Sequence, residues 1–200
     1  MKPKVYGPRP LPQILLLCSG FAGLLFIAAF LVLGFSARPY DPVRETISAL
    51  EFTSLGVAQR IAFTLFGLLL VAFAFALRLE LHSGRAARLI PLFQFLSGAA
   101  VIGDGLFIHE PLHLVCDLVA FNAALLVPFL FAWRVWPDLR WRPWAYYSIA
   151  TALLMMALLT AFGFANHSGG PAGLMEKLAT VPRTLWSLLL TIKLLRGARL

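Results

Sequence analysis

The sequence predicts an all-α polytopic membrane protein: a six-transmembrane-helix bundle with a short amphipathic connector helix on its outer side. Two observations carry this. Of the 200 residues, 60% are hydrophobic and only 13% are charged, which lies outside the range of soluble globular domains. The apolar residues run in long unbroken blocks rather than at helical or strand periods, the pattern of membrane spans and not of a buried core. Little polar sequence separates the blocks, so residues 1–200 read as one membrane domain.

Six blocks reach the roughly 20 apolar residues that one crossing takes. They cover about 12–35, 58–79, 89–108, 112–133, 143–165 and 174–195. The first follows a short basic segment, as a signal peptide would. Its apolar run is too long for such a peptide and "SARPYDP" is a poor cleavage site, so it reads as a retained signal-anchor. The connector "YDPVRETISALEFTSLGVAQR" (40–60) starts with Asp41-Pro42, an N-cap residue followed by proline at the first helical position. Val43, Ile47 and Leu50 then recur at helical spacing. They predict a short amphipathic helix lying on the outer surface or tucked over the bundle mouth, with Ser48 near its buried edge. The third and fourth blocks are joined by a short turn ending at Pro111, which makes them antiparallel neighbours. Trp133, Trp136, Trp141 and Trp144 mark an interfacial aromatic belt at the ends of the fourth and fifth blocks. The sixth block carries Pro182 in its interior, where proline removes a backbone donor and frees a carbonyl. No internal duplication is visible.

Charge sets the orientation. Twelve of the 17 basic residues fall on one side: Lys2, Lys4, Arg9, Arg78, Arg85, Arg88, Arg134, Arg140, Arg142, Lys193, Arg196 and Arg199. The positive-inside rule then places both termini and two short basic loops in the cytoplasm of a cell membrane. The net charge of +8 is thereby a topology signal, and no nucleic-acid partner is expected. Cys18 and Cys116 lie within apolar blocks without CxxC spacing and read as small packing residues.

The remaining ionisable residues converge. "GDGLFIHEPLHLVCD" (103–117) places Asp104, His109, Glu110, His113 and Asp117 in fifteen residues. At 1.5 Å per residue Asp104 lies about 6 Å and Asp117 about 9 Å below the turn, and His113 shares a helical face with Asp117. Glu176 and Lys177 open the sixth helix. Arg183 lies two turns deeper on the face of Glu176, where pairing with Asp117 or Asp104 would satisfy it. These residues predict one outward-opening polar cavity, with Arg60, His167, Arg44, Glu45 and Ser48 at its entrance.

The chain resembles the domain-of-unknown-function family numbered 998. The resemblance rests on "DPVRETISAL" (41–50), on the Gly-rich third helix followed by a short turn and His113, and on "GLMEKL…LW" (173–186). It extends over nearly the whole chain and implies a six-helix archaeal or bacterial integral membrane protein without assigned activity. The turn before the histidine, Phe-Pro-x-Asp in the family, reads "IHEP" here. A remoter similarity, through "TISAL", is to the eukaryotic Frag-one and DRAM group linked to membrane-lipid handling.

Several readings of the cluster are open. It binds a small polar ligand or a lipid headgroup, a zwitterion or an anion held by Arg183 and Lys177, through Ser48, Asp104, Glu110, His113, Asp117 and Glu176. Alternatively it is a polar network joining three helices. A third reading is a membrane-embedded lipid hydrolase, as in alkaline ceramidase-like enzymes, with metal ligands drawn from His109, His113, Asp117 and His167 and Glu110 as base. The spacing lacks an HxxxH or HExxH signature, so no metal and no cofactor is expected. A b-type haem carrier would need paired axial histidines on facing helices, and a transporter is disfavoured by the lack of repeats.

Overall fold

The computed structural model describes residues 10–109 and 111–197. Glu110 and the basic residues Lys2, Lys4, Arg9 and Arg199 lie outside the described residues. The long elements of the described chain are all α-helices: α1 (Pro10–Gly20), α2 (Ala22–Ser36), α3 (Gly56–Glu80), α4 (Leu89–Leu106), α5 (Leu112–Val135), α6 (Arg142–Ser168) and α7 (Ala172–Leu195). Six spans are long and apolar enough to cross a membrane, α1 and α2 forming the first of them around a turn at Phe21. The chain is a multi-pass membrane protein.

The spans form a closed ring in sequence order. The first span packs on α3, α3 on α4, α4 on α5, α5 on α6 and α6 on α7, and α7 closes the ring against α1 and α2. Short connections between antiparallel helices account for the order. Small residues allow the close approaches. A Cβ on Gly67 of α3 would stand 2.6 Å from the Gly98 carbonyl of α4, and one on Gly98 would stand 2.9 Å from the Gly67 carbonyl. Glycines 20 and 23 of the first span make room in the same way for Thr191 and Thr184 of α7. Large apolar residues such as Leu25, Val32, Phe75, Leu118 and Phe164 face outward, which costs nothing against lipid tails as apolar as leucine.

Two apolar clusters fill the ring. One, at the end carrying the basic loops, includes Leu77, Leu81, Ile90, Phe131, Trp141, Trp186 and Leu190. The other, at the connector end, includes Phe26, Phe30, Tyr40, Ile47, Leu50 and Phe63. At the basic end Arg134 donates to the Ser83 carbonyl at 2.6 Å. Lys193 lies 4.6 Å from the Trp141 ring and 5.4 Å from that of Trp144. Of the expected aromatic belt, Trp133 and Trp136 are exposed, whereas Trp141 is inside the bundle.

The connector differs in form from the amphipathic helix the spacing predicts. Asp41 does cap a turn, accepting the Val43 N–H at 2.9 Å, and Glu45 accepts the Asp41 N–H at 2.6 Å. The helix stops after that turn, and the only helical part is a 3-10 segment, Ser48–Phe52. The apolar side chains explain the change. Tyr40, Ile47 and Leu50 are all buried in the bundle mouth, a geometry that a straight helix lying on the surface would not give. Tyr40 donates its hydroxyl to the Glu45 and Thr46 carbonyls at 3.2 and 3.0 Å, fixing the bend.

Candidate functional site

The connector is fastened to the start of α7. The first amides of any helix lack partners within it. Here Gly173 N–H donates to the Arg44 carbonyl at 3.2 Å and Leu174 N–H to the Val43 carbonyl at 2.9 Å. Glu176 accepts the Ile47 N–H at 2.7 Å. Lys177 donates to the Glu45 carbonyl at 2.9 Å and to the Gly173 carbonyl at 3.2 Å. A side chain at Gly173 would collide with the Glu45 carbonyl oxygen, so glycine is required for this approach. Burial pushes the Tyr40 hydroxyl upward from its ordinary pKa, and Glu176, Glu45 and Asp41 add to the shift.

A second group lies at the adjoining ends of α4 and α5. Asp104 is 2% exposed and His113 8%. His113 Nδ1 stands 2.8 Å from the Phe107 carbonyl and Nε2 3.7 Å from Asp117 Oδ2. One ligating atom each from Asp104, His113 and Asp117 lies within 4.8 Å of the other two. Glu51, from the 3-10 segment, joins this group electrostatically. It is buried, with no hydrogen bond to either carboxylate oxygen. Burial raises its pKa to about 7, against the opposing pull of His113 and Arg60 and with a small push from Asp117. Arg60 donates Nε to the Gly105 carbonyl at 3.0 Å, a favourable cation at the C-terminal end of α4.

A third group lies deeper. Arg183 is seven residues, about 10 Å, further along α7 than Glu176. It donates Nη2 to Gln94 Oε1 of α4, and its guanidinium lies 4.6 Å from the Trp186 ring. Gln94 in turn donates its amide to the Leu70 carbonyl of α3 at 3.2 Å. The expected pairing of Arg183 with Asp104 or Asp117 is not what forms. Among the described residues the ion pairs of Arg or Lys within 4 Å are Arg44–Asp41 and Arg140–Asp138, and His113 Nε2 faces Asp117. A neutral amide on the helix across the ring reaches the guanidinium instead, because Gln94 matches its depth and the aspartates sit nearer the mouth.

These groups surround a cavity of about 100 Å³ to which every span contributes. Asp104, Asp117 and Glu176 line one part; Gln94, Arg183 and Thr184 line another; Phe26, Phe63, Phe66 and Phe121 supply apolar wall. Of the other candidates, Ser48 is half-buried and bonded to Thr46 at 3.1 Å, away from the lining. Lys177 is directed to backbone carbonyls and does not line the cavity. His109 and His167 are exposed and outside the converging group. With His82 also exposed, His113 is the one buried histidine of the four, so paired axial haem ligation has no residue set.

Glu51 and Gln94 were not singled out by the sequence reading. Gln94 was legible as a lone amide in the apolar run "LIPLFQFLSG", a residue type that hydrogen-bonds between membrane helices. Glu51 carries a weaker signal, an acid flanked by Leu50 and Phe52 in the connector.

Comparison with known proteins adds one finding. Neither a curated protein nor a solved structure matches the chain. The family described as "Protein of unknown function (DUF998)" matches residues 21–193, which include every residue of the cavity. This integral membrane protein belongs to the DUF998 family.

Proposed function

We propose that this protein binds a small amphiphile bearing an anionic group, a carboxylate or a phosphate, in the ring cavity. The anion sits on Arg183 and the apolar portion runs along Phe63, Phe66 and Phe121. One observation carries the reading: the guanidinium is buried at membrane depth, its only hydrogen bond among the described residues goes to a neutral amide, and Nη1 is buried with no hydrogen-bond partner among them. A charge inside a membrane bundle calls for a countercharge, and the cavity gives an anion access to it.

The cavity is smaller than the roughly 300–1,000 Å³ of pockets that enclose a whole drug-sized ligand. It therefore takes a headgroup or a short-chain acid rather than an entire lipid. The concentration of basic residues at the opposite end supports a cell-membrane orientation with cytoplasmic termini and the connector outside. On this reading the cavity opens to the outer leaflet.

The test is native mass spectrometry of detergent-purified wild type and Arg183→Gln at matched folding, with hexanoic acid and a short-chain phosphatidic acid as added probes. Wild type should retain an anionic amphiphile that the variant loses. Equal retention by both proteins would refute the reading.

A further inference from the structure

We propose that Asp104, His113 and Asp117 form a site for one divalent first-row transition-metal ion, with zinc as the test case. The inference is independent of the anion reading, since it uses the mouth of the cavity and not Arg183.

The geometry is that of a site set up before its ion arrives. The three side chains come from two helices joined by a short turn, and their ligating atoms lie within 4.8 Å of one another. Tetrahedral zinc, with bonds of about 2.0–2.1 Å, holds its ligands about 3.4 Å apart. His113 Nε2 and Asp117 Oδ2, 3.7 Å apart, already stand near that spacing.

The imidazole is in the required tautomer. The Phe107 carbonyl has no hydrogen to give, so His113 Nδ1 donates to it at 2.8 Å. The lone pair of the neutral ring is then on Nε2, the atom nearest Asp117. Metal-ligating histidines are fixed in this way by a backbone carbonyl or carboxylate behind the ring.

Independent of the convergence, buried polar atoms here have nothing to bond. His113 Nε2 and Asp104 Oδ1 are buried without a hydrogen-bond partner, and both oxygens of Glu51 share that condition. Such atoms are costly in an apolar surrounding. The protein's own cations are engaged elsewhere: Arg60 with Gly105, Lys177 with Glu45 and Gly173, and Arg183 with Gln94. A dication bound by Asp104, His113 and Asp117 satisfies the first two atoms directly and Glu51 through its field.

One imidazole with carboxylates suits zinc, manganese or ferrous iron, whereas magnesium and calcium favour all-oxygen sites. Three protein ligands leave a coordination position free. Asp104 and Asp117 both line the cavity, so an ion held by them would border it.

The test uses full-length, tag-free protein in detergent, stripped with a chelator and titrated with zinc chloride alone. Bound metal is read by elemental mass spectrometry and affinity by calorimetry. Wild type should take up one equivalent, and His113→Gln, Asp104→Asn and Asp117→Asn should each lose at least about tenfold in affinity. His109→Gln and His167→Gln should bind as wild type does. Cobalt-loaded wild type should show visible absorption bands that His113→Gln alters, a readout that needs only one well-folded variant. Absence of tight binding by wild type, or equal uptake by wild type and His113→Gln, overturns the proposal.

Discussion

Arg183 on α7 and Gln94 on α4 are joined by a hydrogen bond through the interior of the ring, across 89 residues of sequence. The two helices make little other direct contact, so this bond and the Gln94 bond to the Leu70 carbonyl tie α3, α4 and α7 together at one depth. The consequence is an asymmetry between the partners. Gln94→Leu leaves a buried guanidinium without its hydrogen-bond acceptor, which costs more than orphaning a neutral group. Arg183→Leu leaves only a neutral amide oxygen unsatisfied, at about 1–3 kcal/mol. Thermal unfolding in detergent should rank Gln94→Leu below Arg183→Leu, and the double variant should lose less stability than the two single losses added together. The reverse ranking would mean that the guanidinium has another partner.

The connector latch makes a sharper prediction about a residue without a side chain. Gly173→Ala puts a methyl group against the Glu45 carbonyl oxygen, and backbone has to move. Glu176→Ala removes the acceptor of the Ile47 N–H and leaves that buried amide unsatisfied, at about 1–3 kcal/mol. Both variants should unfold earlier and become sensitive to protease between residues 41 and 55. A Gly173→Ala variant with wild-type protease resistance would show that the connector is not held at α7.

Glu51 gives the stability a definite pH dependence in chelator-treated protein. Its carboxyl titrates at about 7 in the fold, against an ordinary value of 4.5, chiefly because of burial. Between those values the folded chain keeps a proton that the unfolded chain has released. Stability contributed by Glu51 is therefore full below about pH 4.5 and declines as pH rises to about 7. The melting temperature of wild type should fall over that interval more steeply than that of Glu51→Gln, which mimics the protonated acid. Parallel pH profiles would place Glu51 in contact with water.

Orientation can be read with an impermeant thiol reagent in intact cells lacking Cys18 and Cys116. Ser83 and Ser168 are both exposed and lie at opposite ends of the bundle. Ser168→Cys should label and Ser83→Cys should be protected. The opposite pattern would turn the cavity to face the cytoplasm.

What the sequence determined by itself was the set of spans, their order and the residues confined to the connector end. Those follow from local properties: the length of an apolar run, the position of a turn, the distribution of Lys and Arg. The neighbourhood of Asp104, His113 and Asp117 was legible for the same reason, since a short turn and a four-residue spacing suffice to bring them together. The partner of Arg183 was not legible. Depth along a helix says how far down a side chain lies but not which way it faces, and only the closure of the ring turned Gln94, rather than an aspartate, towards the guanidinium. The connector was decided at the same level. Asp41-Pro42 starts a helical turn as its local chemistry requires, and burial of Tyr40, Ile47 and Leu50 against the bundle mouth then outweighs continuation of that helix. Tertiary packing also carried Glu51 inward, within electrostatic reach of His113.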